Sequence, residues 1–385
     1  MKKGILLFHP AGIGDCVIDI SNLYQLTLSK KNNYQFYYAC NIYARPIIKS
    51  TELDKHLKII YLNYPNRFSI SDIVALYKLL SKIDIIVALA GMNLKKISYL
   101  KFILPKNIKL YGSLANLPYV RLKEILPLKK TFSGISGPFK YHRILTNFYL
   151  FRNIGLVNDD LIIRNIDIEK VKDNLINKDR LIDLNFDYIL VHTGYVTNRS
   201  NNKTLRIDAW RNILQKISHS FNMKIIIVGS SDERLNVKKI ISKIDKKNIL
   251  NFCGKTNLTE TMYIISKARI IFAIDGLIGH IAAALNKKLV SFFGPGDYND
   301  VCPINTNGYI ISKILDCSPC YETPNYYNCP KNRICVDEID SNLIVDCINE
   351  VLSGSNLSDK TRNGYKLTLI PNIAQLKSNL LLLNQ

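Results

Sequence analysis

The sequence predicts an α/β protein built from two Rossmann-like domains facing a cleft. Three observations carry that expectation. Strand-sized apolar runs alternate with segments of helical period, the pattern of a parallel sheet covered on both faces. The alternation stops near 157–185, a polar stretch holding Asn158-Asp159-Asp160, and then begins again. The length, 385 residues, suits two domains at roughly 150 residues each. The expected division is 1–180 for a first domain, 181–350 for a second, and 351–385 for a helical tail.

In the first domain the runs 4–8, 34–40, 57–62 and 83–89 read as strands and 15–29 as an amphipathic helix. A charged helical segment, 168–183, precedes the second series. There the strands fall at 187–192, 224–228, 270–274 and 288–293, and the helices at 207–220, 231–243, 258–267 and 276–286. No apolar stretch reaches the ~18 residues of a transmembrane helix. The opening Gly4-Ile5-Leu6-Leu7-Phe8 is broken by His9 and Pro10, so it reads as a buried strand rather than a leader. Nine cysteines without an export signal point to a reducing compartment.

The composition excludes disordered and collagen-like chains: 47% of residues are hydrophobic and 22% charged. The charge balance is unusual. There are 52 basic and 31 acidic residues, a net of +21. Residues 1–180 carry 28 against 13, and 91–143 carry 11 basic residues and one acid, Glu124. Such a surface draws anions. In 91–143, Lys95, Lys96, Lys101, Lys106, Lys109, Arg121, Lys123, Lys129 and Lys130 lie among Phe102, Tyr111 and Tyr119. That mixture fits an anionic membrane surface or a phosphorylated glycolipid, and equally a solvated basic face. No nucleic-acid reader motif is present, so nucleic acid is not an expected partner.

Four sites have the residues for chemistry. Gly12-Ile13-Gly14-Asp15 joins a strand to a helix, where glycines let a ligand approach the backbone and the helix N-terminus favours anions. A dinucleotide fingerprint would need a third glycine where Val17 stands, which argues against an oxidoreductase. Asp15 has two readings: acceptor of a proton from an attacking hydroxyl, or cap of the helix. Asp275-Gly276-Leu277-Ile278-Gly279-His280 places an acid at a strand end and backbone N–H groups at a helix start, a cradle for a diphosphate. Lys203, in a polar loop after 187–192 with Arg206 beyond it, can neutralise phosphate or stand solvated. Gly229-Ser230 followed by Glu233 offers a ribose contact or a first-turn acid.

A separate cluster, Cys317, Cys320, Cys329 and Cys335, has one pair at knuckle spacing. It reads as a structural zinc or iron site, as free thiols, or as a disulfide.

Taken together these segments resemble glycosyltransferase family 9, the ADP-heptose:lipopolysaccharide heptosyltransferases. The resemblance rests on Gly12-x-Gly14-Asp15, Lys203 before Trp210, Gly229-Ser230 with Glu233, Gly254-Lys255-Thr256-x-Leu258, and Asp275 before His280 with Phe293-Gly294-Pro295 beyond. It implies a GT-B architecture, with acceptor on the first domain and nucleotide sugar on the second. It implies inverting transfer of a heptose or related sugar from an ADP-sugar to a lipopolysaccharide core or related glycan, with no cofactor required for catalysis. By the same resemblance Asp15 is the general base, and Gly12 and Gly14 form its loop. Lys203 holds the donor phosphates, and Glu233 and Thr256 lie near ribose and base. Asp275, Gly276, Leu277, Ile278 and His280 surround the diphosphate and sugar. Where the family reads Asp-Ser/Thr-Gly, this chain has Asp275-Gly276-Leu277. The expected location is the cytoplasm, peripheral at the inner face of the inner membrane. Protein O-heptosyl transfer and an inactive nucleotide-binding relative stand as alternatives.

Overall fold

The computed structural model describes residues 3–28, 34–63, 69–92, 104–113, 132–136, 142–158, 160–175, 184–194, 201–321, 323–354 and 357–382. The chain divides into two compact units. One is Met1–Ile166 with Asn299–Val301 and Ala374–Gln385; the other is Asp167–Tyr298 with Cys302–Ile373.

The first unit holds a six-stranded sheet of β1 (Lys3–His9), β2 (Tyr34–Asn41), β3 (Lys58–Leu62), β4 (Ile85–Ala88), β5 (Lys109–Ser113) and β6 (Gly134–Ser136). Its order is β3-β2-β1-β4-β5-β6, with every pair parallel. This is the doubly wound order, and its switch point lies between β1 and β4. The strands are apolar on both faces because helices cover both. Leu6, Phe8, Ala39, Ile86, Ala88 and Leu110 form part of one core under the helix Ile70–Leu80. That helix follows from Ser69, whose side chain accepts from the Asp72 N–H while Asp72 accepts from the Ser69 N–H.

The second unit repeats the plan. Its strands are β7 (Tyr188–His192), β8 (Lys224–Ile227), β9 (Ile249–Asn251), β10 (Ile270–Ile274), β11 (Leu289–Phe293), β12 (Gly308–Lys313), β13 (Lys360–Arg362) and β14 (Tyr365–Leu369). Read from β9, the order β9-β8-β7-β10-β11-β12 is again doubly wound, with its switch point between β7 and β10. Trp210, fully buried on the helix Ile207–Ser220, packs on Phe272 of β10 with ring centroids 5.7 Å apart. Buried side chains of this kind contribute roughly 1.5–3 kcal/mol each, against ~0–1 for an exposed ion pair, so the apolar layers dominate stability.

The expectation of two Rossmann-like domains holds, and most predicted elements appear within a few residues. The division of the chain differs. It falls at 166/167 rather than at 180/181, because the helix Ile168–Asp173 groups with the second unit. The stretch 351–385 is not uniformly helical. Residues 360–369 form a hairpin that extends the second sheet, antiparallel to β12. Asn363 and Gly364, both at positive φ, make its turn, and the alternating Tyr365-Lys366-Leu367 places apolar side chains inward. Only the last segment, the helix Ile373–Leu382, matches the expected tail. Among the described residues, no helix is long and apolar enough to cross a membrane.

Candidate active site

In open α/β sheets, ligands gather at the carboxyl ends of the strands beside a switch point. Both units place their chemistry there.

In the first unit β1 ends at His9, and Gly12 opens the helix Ile13–Leu28. Asp15 in its first turn accepts from the Gly12 N–H at 3.1 Å through one oxygen. Its other oxygen accepts from Nη1 of Arg143. Asp15 therefore closes the helix start with one oxygen and stands in an ion pair through the other. Arg143 heads the helix Arg143–Asn153, and its Nη2 donates to Asp300 at 2.7 Å. Asp300 belongs to the first unit despite its place in the chain. Burial disfavours the charge of Arg143, but Asp300 and Asp15 outweigh that cost and hold it firmly cationic. Gly91, just past β4 at φ +97°, leaves room for this guanidinium: a Cβ there would lie 2.7 Å from Nη1. Gly14 lies within the helix, beside Asp15.

Beneath this pair is a fully buried polar cluster. Asp19 meets His9 Nδ1 at 2.5 Å, accepts from the Tyr38 hydroxyl at 2.9 Å and from Asn147 at 3.2 Å. Asn147 in turn accepts from the Ala90 N–H at 2.7 Å, tying its helix to the end of β4. Burial pushes the His9 imidazolium down, yet the facing Asp19 carboxylate prevails and raises its pKa above the ordinary value. The cluster fixes the loop that carries Asp15. Removing His9 would leave the buried Asp19 charge without its ion-pair partner, a cost of about 3–5 kcal/mol.

In the second unit Lys203 and Asp275 meet at the switch point. The Lys203 ammonium donates to Asp275 at 2.7 Å and lies 3.7 Å from the centre of the Tyr321 ring. Burial lowers the Lys203 pKa, but Asp275 and Tyr321 more than compensate, so it is raised and the side chain is cationic at neutral pH. Asp275 follows β10 directly, with Gly276 as N-cap of the helix Leu277–Ala284. The first N–H groups of a helix have no partner within it, so Leu277 and Ile278 present donors beside a lysine. Gly296 lets the loop after β11 approach: a Cβ there would sit 2.5 Å from Asp275. Gly276 is extended, and a Cβ on it would meet nothing nearer than the Ile274 carbonyl at 3.9 Å, so the fold itself does not demand glycine there. His280 is buried in the second turn of the same helix.

Glu233 and Thr256 lie at the ends of β8 and β9. Glu233 is buried; its carboxylate accepts from the Ser230 N–H at 2.6 Å and faces His192 Nε2 at 3.3 Å. Burial raises its pKa, but the His192 and Ser230 contacts prevail and lower it. The carboxylate is thus engaged within the protein. The Thr256 hydroxyl pairs with that of Thr261 at 2.9 Å. Their loops touch, since the Gly254 N–H donates to the Gly229 carbonyl at 3.0 Å.

The cysteine-rich segment follows the second sheet's β12. Its thiols, Cys317, Cys320, Cys329 and Cys335, neighbour one another closely enough to shift each other's titration, and none is in a disulfide. Among the described residues, no group of three or more Cys, His, Asp or Glu side chains is placed to hold a metal. Burial and the neighbouring thiols push Cys320 up to about 11 and Cys335 up to about 12, keeping both protonated at neutral pH. The segment also walls the lysine site. The N–H groups of Cys320 and Tyr321 both donate to the Pro295 carbonyl, at 3.0 and 2.9 Å, and Arg333 donates to the Thr204 carbonyl at 2.7 Å. These bonds hold Tyr321 over Lys203. Arg206, the other candidate cation, pairs with Asp337 at 3.0 Å and is largely exposed.

Sequence reasoning missed Arg143, Asp300, His9, Asp19 and Tyr321. Of the basic stretch, Lys106, Lys109 and Tyr111 are described, the two lysines exposed and the tyrosine half-buried. Lys95, Lys96, Lys101, Phe102, Tyr119, Arg121, Lys123, Glu124, Lys129 and Lys130 lie outside the described residues, as do 176–183 of the expected charged helix and 195–200 of the Lys203 loop.

Two domains of this strand order define a GT-B fold, and solved structures bear that out. A glycosyl transferase of family 9 from Veillonella parvula matches 92% of this chain and 98% of its own at a TM-score of 0.64 and 14% identity. The ADP-heptose lipopolysaccharide heptosyltransferase II of Escherichia coli matches 92% and 99% at 0.63 and 16%. Residues 133–330, just over half of the chain, match the model of glycosyltransferase family 9 (heptosyltransferase), and the chain belongs to that family. Lipooligosaccharide heptosyltransferase 2 of Haemophilus ducreyi is 30% identical over 95 residues, 23% of this chain. That alignment spans 27% of the relative's length, about a quarter.

Proposed function

We propose that the protein is an inverting glycosyltransferase that moves a heptose or related sugar from an ADP-sugar to a lipopolysaccharide core or related glycan. The observation that carries this reading is the Lys203–Asp275 pair, 2.7 Å apart, beside the N-terminus of the helix Leu277–Ala284 at a switch point. A fixed cation and oriented N–H groups suit a leaving diphosphate.

In this reading the acceptor hydroxyl oxygen bonds to the anomeric carbon as the bond from that carbon to the diphosphate breaks. Asp15 takes the hydroxyl proton, held in orientation by Arg143 and the Gly12 N–H. ADP leaves with the electron pair, and Lys203 stabilises its charge together with the backbone at 276–278, with His280 nearby. Protein groups supply that stabilisation, so no metal is assigned to the step. A serine or threonine hydroxyl after Asp275 is not needed, since backbone donors serve the phosphate. Glu233 and Thr256 are assigned to the ribose and base side, where Glu233 would exchange its Ser230 contact for the nucleoside. The acceptor is assigned to the first unit and the donor to the second. The protein is placed in the cytoplasm, peripheral to the inner membrane that carries the lipid-linked acceptor.

A thermal-shift panel of ADP, UDP, GDP, CDP and NAD tests the donor assignment. A ligand at a hundredfold its dissociation constant stabilises a fold by about 2.7 kcal/mol. ADP alone is expected to raise the melting temperature. A shift with UDP or GDP and none with ADP would discard the heptose donor.

A further inference from the structure

The helix Ile70–Leu80 is apolar on two faces. Leu76, Leu79 and Leu80 pack inward against the first core. Ile70, Ile73, Val74 and Tyr77 point out, with 82%, 58%, 43% and 74% of their surface exposed. At 3.6 residues per turn these four form one stripe about 100° wide. A helix apolar all round belongs in a buried setting, and an exposed contiguous apolar patch marks an interaction surface.

The charges around the stripe select its occupant. Lys78 and Lys82 are exposed at its side and end. The only carboxylates between 63 and 84, Asp72 and Asp84, are turned to backbone: Asp72 accepts from Ser69 at 2.7 Å and Asp84 from Gly4 at 2.9 Å. The described part of this segment is therefore apolar and cationic, with no exposed acid of its own, in a chain of net charge +21. A second copy of this chain would bring like charges together across a two-fold contact. We propose that this helix face docks onto an anionic lipid bilayer, its apolar stripe seated among the acyl chains and Lys78 and Lys82 on the headgroups. The inference rests on the reading that places the protein at a membrane and names the face that would hold it there; vesicle binding, which requires neither donor nor acceptor, is read separately from sugar transfer.

The test is sedimentation of the full chain with vesicles of phosphatidylethanolamine and phosphatidylglycerol, and with phosphatidylcholine vesicles alone. Binding to the anionic vesicles is expected, falling as salt rises. The double substitution Ile73→Glu with Tyr77→Glu is expected to weaken it by at least about tenfold, and Lys78→Glu by roughly tenfold through charge reversal. All three positions are exposed, and circular dichroism with nucleotide binding checks that the variants stay folded. Should the double variant not fold, Ile73→Ser with Tyr77→Ser replaces it. Equal binding by wild type and variant would overturn the proposal. So would failure of wild type to bind, or a concentration-dependent dimer abolished by the same substitutions.

Discussion

Asp15→Asn is expected to lower the rate of sugar transfer by roughly 10²–10⁴-fold, the usual contribution of a positioned general base. Donor binding should be little changed, because the donor is assigned to the second unit. The substitution also has a structural side. An amide has one acceptor oxygen, so the asparagine can accept from either the Gly12 N–H or Arg143 but sets its NH2 against the other donor. Arg143 retains Asp300 at 2.7 Å. A lower melting temperature is therefore expected beside the fall in kcat, and kcat measured well below that temperature separates the two. Full transfer by the variant would remove Asp15 from the chemistry and leave it as a cap.

Lys203→Ala is expected to reduce kcat by about 10²–10³-fold, comparable to removing one preorganised group that stabilises developing charge. Here a structural effect accompanies the catalytic one. The partner side chain of Asp275 is only 8% exposed, so truncating the lysine strands a buried carboxylate and should lower stability as well. Lys203→Arg separates the two effects. It keeps a cation beside Asp275 and under Tyr321, so stability should recover. The rate should recover only in part, since a planar guanidinium cannot take the position of the compact ammonium. Steady-state kinetics and melting curves on both variants measure this. An alanine variant that binds ADP and turns over like wild type would exclude Lys203 from the leaving-group site.

The domain plan was legible because buried parallel strands announce themselves as short apolar runs. The strand Ile270–Ile274 and the helices Ile207–Ser220 and Leu258–Lys267 fall where periodicity and capping place them. The strands at Lys109–Ser113 and Gly308–Lys313 were not, since each includes a glycine and polar residues that dilute the run. Local motifs singled out Lys203 and Asp275 in the second unit, but not their contact, which spans 72 positions. Arg143 lies 128 residues from Asp15, and no spacing rule links two such positions. The same holds for Asp19, which becomes part of the site only once β2 and the helix Arg143–Asn153 bring Tyr38 and Asn147 to it. The cysteine segment has a role that spacing alone did not reveal: its backbone hydrogen bonds to the Pro295 carbonyl position Tyr321 over Lys203.

The most direct test of the central claim is a transfer assay with ADP-heptose and a lipopolysaccharide core lacking heptose, following ADP release and acceptor mass together. The account predicts ADP formed in step with an acceptor heavier by one heptose, dependent on both Asp15 and Lys203. ADP released without any gain in acceptor mass, or no turnover with ADP-heptose while a different nucleotide sugar is consumed, would contradict it.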